Sequence, residues 1–125
     1  MTQNIEHSRR LVIKMGSALL VDEERGTIHY ERLLGLAKDI AALRSKGTEV
    51  MIVTSGAIAV GRRYLGFPKG ALRLEEKQAA AACGQIRLAH AYQQALERHE
   101  ITVAQVLLTT DDTENRRRYL NARNT

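Results

Sequence analysis

The 125 residues include no tryptophan, one phenylalanine (Phe67), one proline (Pro68) and one cysteine (Cys83). A lone cysteine cannot close an internal disulfide, which excludes a disulfide-stapled scaffold and fits a reducing compartment. Without a partner at ligand spacing it is also a poor metal site, and it reads as a small buried residue of an alanine-rich helix. His7, His29, His90 and His99 are scattered, so no metal site is expected. The scarcity of Trp and Phe removes the stacking platform on which single-stranded nucleic acid is usually held. The longest strongly apolar runs, 11–15 and 50–53, fall far short of the ~20 residues that cross a bilayer, and the opening MTQNIEHSRR has no signal-peptide core. A cytoplasmic protein with no membrane partner is expected.

What is present is the composition of a globular protein. With 44% hydrophobic and 26% charged residues the chain is neither a disordered tail nor a collagen-like or coiled-coil rod. The formal charge of +5 concentrates anions near the surface, and it suits nucleic acid and nucleotide phosphates equally.

Short β-rich runs alternate with helical patterns, which predicts an α/β fold with a parallel sheet and crossover helices. LVIKM, 11–15, is the first strand, stopped by Gly16 and followed by a polar connection from Asp22 to Gly26. Leu33, Leu36, Ala37, Ile40 and Leu43 recur at helical spacing within 30–46, and Gly47 ends that helix. EVMIVTS, 49–55, is apolar at its centre and predicts a strand buried on both faces. A second helix runs from Gly56 to about Leu65, GFPKG at 66–70 is a loop, and a long helix covers 75–98. Its QAAAACG run puts small side chains on several faces and predicts close approach to neighbouring backbone. TVAQVLLT, 102–109, predicts a third parallel strand, and Asp111 or Asp112 a cap for a helix holding Asn115 to Arg123. The sequence stops inside that helix, and three strands leave a naked sheet edge, so residues 1–125 are expected to be part of one domain whose sheet is incomplete.

Two strand-to-helix junctions carry chemistry, and open α/β sheets bind ligands at the carboxyl ends of their strands. In IKMGS, 13–17, Lys14 ends an apolar strand and precedes Gly16 and Ser17; an ammonium beside exposed N–H groups can hold a phosphate. It is not a Walker loop, in which the lysine follows its glycine and opens the helix. A lysine whose stem simply snorkels from a strand end explains the same residues. In VTSGAIAVG, 53–61, Ser55, Gly56 and Ala57 open a helix whose N–H groups favour a carboxylate or phosphate, and a plain serine N-cap is the competing explanation. In a parallel sheet both junctions open on one edge, so Lys14 and the Ser55–Ala57 turn can hold two anionic substrates against each other. Phosphoryl transfer needs chiefly that positioning and charge neutralisation.

VIKMGSALL, VTSGAIAVGRRYLG, KQAAAACGQIRL and QVLLTTDDTENRRRYLNARNT, in this order between Arg10 and Thr125, resemble the amino-terminal half of the glutamate 5-kinases, in the amino acid kinase superfamily. The resemblance implies a three-layer α/β/α sandwich, incomplete here, and transfer of the γ-phosphate of ATP, with Mg2+, to the side-chain carboxylate of glutamate. That is the first step of proline biosynthesis, with proline as feedback inhibitor and a homo-oligomer as the complete form. Carried over, Lys14 is catalytic and neutralises the ATP phosphates, Gly16 and Ser17 bind phosphate, and Ser55, Gly56 and Ala57 hold glutamate. KMGSA departs from the commoner KxGTS or KxGSS form. The chain lacks the family's second half, with its GDND-like loop, second catalytic lysine, adenine-binding segment and the PUA domain of many members, which predicts an inactive piece. Kinases of acetylglutamate, aspartate, carbamate or UMP are the alternatives within the superfamily, and TSGAIAVG speaks against them. Outside it stands a small basic nucleic-acid-binding module. Arg116, Arg117 and Arg118 fan around a helix and read as solvated surface, whereas Arg62 and Arg63 suit either a solvated face or an anion contact.

Overall fold

The computed structural model describes residues 5–107 and 115–125. A short 3-10 turn at Ile5–His7 precedes β1 (Arg10–Met15), α1 (Ser17–Leu20), β2 (Val21–Asp22), β3 (Thr27–Ile28), α2 (Tyr30–Ser45), β4 (Glu49–Thr54), α3 (Ala57–Tyr64), α4 (Leu74–Glu97) and α5 (Arg116–Asn124). No helix among the described residues is long and apolar enough to cross a membrane.

β1 and β4 pair in parallel from Arg10 opposite Glu49 to Met15 opposite Thr54. α2 supplies the crossover that parallel pairing requires. Its end is made by Gly47, at φ +88°, where the N–H groups of Gly47 and Thr48 return to the carbonyls of Arg44 and Leu43 at 2.9 and 3.1 Å. The apolar stripe of α2, Leu33, Ala37 and Ile40, is buried together with Leu20, Leu88, Tyr92 and Leu96, and Ile13, Met15, Val50 and Ile52 pack on this core from the sheet. Complete burial of a leucine such as Leu33 or Leu88 contributes roughly 1.5–3 kcal/mol.

Both strands alternate exposed and half-buried residues. The expectation that 49–55 is buried on both faces therefore does not hold: Met51, Val53 and neighbouring Val12 are 50–57% exposed. The composition supplies apolar residues to both faces, but the described helices cover only one.

The polar connection after β1 has more order than its sequence advertised. Asp22 Oδ1 accepts from the N–H groups of Glu24 and Arg25, both at 3.1 Å, and Gly26, at φ +65°, donates to the Asp22 carbonyl. This aspartate-led turn joins β2 and β3 as an antiparallel hairpin.

The third strand is a correction. Residues 101–107 form no regular element; Ile101 and Val103 rest on the core, while Val106 and Leu107 are 58% and 73% exposed. β-branched residues become a strand only where a neighbouring edge offers ladder partners, and none of the described strands pairs with them. Leu108, Thr109, Asp111 and Asp112 lie outside the described residues. The cap of α5 is Asn115, placed within the helix by sequence, whose side chain accepts from the N–H groups of Arg117 and Arg118. The triplet Arg116–Arg118 is exposed, as a solvated face requires.

α3 and α4 meet backbone to backbone. A Cβ built on Gly61 would stand 2.6 Å from the carbonyl carbon of Ala80, and one on Gly84 would stand 2.7 Å from that of Ala57. The small-residue run of α4 thus does what its composition predicted. The start of α4 is secured by a capping box, in which the Arg73 N–H donates to Glu76 at 3.0 Å. That backbone hydrogen bond, helped by the Arg73 guanidinium, holds the Glu76 carboxyl below its usual range.

Candidate functional site

The parallel register brings the two junctions side by side. Lys14 lies opposite Val53, Met15 lies opposite Thr54, and the Ser55 N–H donates to the Met15 carbonyl at 3.2 Å. Lys14 is on the exposed face of its strand, and among the described residues it makes no ion pair. Its neighbours on that face are the apolar Val12 and Val53, so its surroundings suit both the snorkelling and the phosphate reading.

Gly56 adopts φ +109° between β4 and α3, a left-handed conformation that glycine alone adopts without strain. It also packs against the first junction: a Cβ there would meet Val21 Cγ2 at 2.8 Å and Ser17 Cα at 3.5 Å. The residue that caps α3 is Gly56, and no side chain makes a cap hydrogen bond. The plain serine N-cap is thereby excluded for Ser55, whose exposed side chain has no hydrogen-bond partner among the described residues. Ser17 Oγ, by contrast, donates to Glu23 Oε1 at 2.6 Å. The two junctions thus adjoin, Lys14 and Ser55 lying on the exposed face of neighbouring strands and Gly56 packing on Ser17, whose hydroxyl is bonded to Glu23.

Sequence reasoning missed Glu23 and the support behind the turn. Tyr92, on α4, donates its hydroxyl to Thr54 Oγ1 at 2.9 Å. Burial pushes the Tyr92 phenol up from its ordinary value, and the bond to Thr54 opposes that only in part. A signal for it existed: a tyrosine within the apolar stripe Leu88, Ala91, Ala95, Leu96 has to find a partner for its hydroxyl. Glu23 sits in a charged turn with no comparable signal.

A cavity of about 430 Å³ lies between the hairpin turn, α3 and the 66–70 loop, lined by Arg25, Arg62, Arg63 and Lys69 among others; it shares no wall with Lys14, Ser55 or Ala57. Arg62 is not simply a solvated residue, since its Nη2 donates to the carbonyls of Pro68, at 2.9 Å, and Gly70. It braces the loop after α3.

Comparison with known proteins gives the family. The profile of the Amino acid kinase family matches residues 9–125. The chain belongs to the amino acid kinase family. Among curated relatives it is similar to the glutamate 5-kinase of Paramagnetospirillum magneticum, 64% identical over 118 residues, which are 94% of this chain and 32% of that protein. The glutamate 5-kinases of Rhodospirillum rubrum and Agrobacterium fabrum are 64% and 60% identical over 90% and 93% of the chain, and 30% of each relative is covered. The chain therefore spans about a third of the length of the amino acid kinase family relatives it matches.

Proposed function

We propose that these residues form the phosphate and acceptor corner of an ATP-dependent glutamate 5-kinase. The observation that supports the reading is the packing of Gly56 on Ser17, which brings the two junctions into contact. The names and identities of the relatives support glutamate as the acceptor.

In this reading Lys14 neutralises the ATP phosphates while Gly16 and Ser17 hold them, and Ser55 with the N–H groups of Gly56 and Ala57 holds the glutamate. A side-chain carboxylate oxygen attacks the γ-phosphorus, the bond from phosphorus to the β–γ bridging oxygen breaks, and ADP leaves with that electron pair. The products are γ-glutamyl phosphate and ADP. Lys14 acts by stabilising charge that spreads over the transferring oxygens, since phosphoryl transfer asks for little else of the protein. The Ser17 hydroxyl reaches a phosphate by exchanging its Glu23 partner. Mg2+ would come with the nucleotide, held chiefly by its phosphates, and would neutralise part of their charge.

The same reading makes residues 1–125 the amino-terminal part of a single amino acid kinase domain, in a cytoplasmic homo-oligomer that serves proline biosynthesis and answers to proline as feedback inhibitor.

The test is Lys14→Ala in the full-length gene product that carries this sequence. Formation of γ-glutamyl hydroxamate from glutamate, ATP and hydroxylamine is expected to fall by about 100-fold or more, with an unchanged far-UV circular dichroism spectrum. Normal turnover would remove Lys14 from the mechanism. Activity with acetylglutamate, aspartate, carbamate or UMP in place of glutamate would reassign the acceptor.

A further inference from the structure

One helix, α4, holds both flanks of the Ser55–Gly56 turn. On the strand side Tyr92 donates to Thr54, the last residue of β4. On the helix side Gly84 lies so near Ala57 that a Cβ would stand 2.7 Å from the Ala57 carbonyl carbon. Between these two supports the turn's backbone is also held by the Ser55 N–H bond to Met15, by the Val60 N–H bond to the Gly56 carbonyl and by the packing of Gly56 on Val21 and Ser17.

Tyr92 is only 5% exposed, and its ring is part of the core cluster. Phenylalanine would fill that volume equally well, so the hydroxyl needs its own explanation: a buried hydroxyl costs stability unless it is bonded. Here the bond goes to a strand end on another element, thirty-eight residues away in sequence. Burial keeps the phenol protonated, and it is a donor throughout the neutral range. Accepting that bond fixes the Thr54 side chain, and with it the backbone leading into Ser55. Lys14 and Gly16 belong to β1 and its exit, and they take no hydrogen bond from α4 among the described residues.

On the reading of Ser55, Gly56 and Ala57 as the acceptor site, we infer that Tyr92 is a positioning residue for glutamate, acting through Thr54, with Gly84 as the opposite support on Ala57. Loss of the Tyr92 hydroxyl loosens the glutamate corner and leaves the phosphate corner intact.

Three variants of the full-length gene product test this: Tyr92→Phe, Thr54→Val and the double substitution. Each single change is expected to raise KM for glutamate about threefold to tenfold, the range of one hydrogen bond, with KM for ATP unchanged. Thr54→Val strands a buried hydroxyl and lowers the melting temperature. The double variant replaces both partners with apolar groups, so its melting temperature returns toward wild type. Its KM for glutamate stays raised, and no further than in either single variant, because both changes remove the same bond. Recovery of KM together with stability would reduce Tyr92 to a structural role, and so would a Tyr92→Phe enzyme with wild-type KM for glutamate; either result overturns the inference while leaving the acceptor reading standing. A wild-type protein without glutamate-dependent turnover would overturn both at once.

Discussion

Tyr92 ties the pH behaviour of the fold to the site it supports. An ordinary phenol loses its proton near pH 10, and burial raises that point in the folded chain. The unfolded chain therefore releases this proton first as pH rises. The contribution is fully present below about pH 10 and is lost as pH climbs through the raised folded value. Denaturant titrations at stepwise alkaline pH are expected to give a stability that declines above that point, and Tyr92→Phe is expected to lose part of the decline. An identical alkaline slope in both proteins would assign it to other groups. At the same scale, the serine at the mouth of α3 is explained by what it does not do. Gly56 has taken over the cap, and the Ser55 hydroxyl is left at the surface beside Lys14's strand.

The most constrained element is the α3–α4 crossing. Gly84 and Gly61 lie where each helix's backbone would occupy the other's Cβ, and the obstructing atoms are backbone, which cannot rotate away. Gly84→Ala gains the better helix former, worth about 1 kcal/mol. The clash outweighs it, because overpacking against an immovable neighbour typically costs about 1–3 kcal/mol and here moves a whole helix. Urea unfolding is expected to place Gly84→Ala at least about 1 kcal/mol below wild type; an unchanged or higher midpoint would mean that the helices part easily. Arg87 reinforces the crossing by lying 3.8 Å over the Tyr64 ring.

At the scale of the whole molecule, the sheet and its crossover were legible because their signals are local: β-branched runs, a helical stripe and Gly47 as a stop. The pairing of the two junctions was legible too, since neighbouring parallel strands must release their helices on one side. The hairpin at 21–28 was not, because two residues per strand carry no periodicity and its stability comes from Asp22 and Gly26. The segment at 101–107 misled in the other direction. Its β-branched composition is that of a strand, but strand formation depends on a partner that composition cannot supply. Hydrogen exchange should separate these cases. The α4 amides from Ala80 to Leu96, buried along the core, are expected to be among the slowest, and those from Thr102 to Leu107 among the fastest, since no backbone bond protects them among the described residues. Protection of 102–107 comparable to α4 would reveal a ladder partner.

The bond from Tyr92 to Thr54 sets an order of assembly during synthesis. β1 leaves the ribosome first, but it has nothing to pair with until β4 emerges, thirty-nine residues behind it at Arg10 and Glu49. Even then the strand end at Thr54 lacks its bond from Tyr92, which lies in α4 and is translated later still. A nascent chain that stops short of residue 92 therefore carries Ser55 without the phenol that braces the strand leading to it.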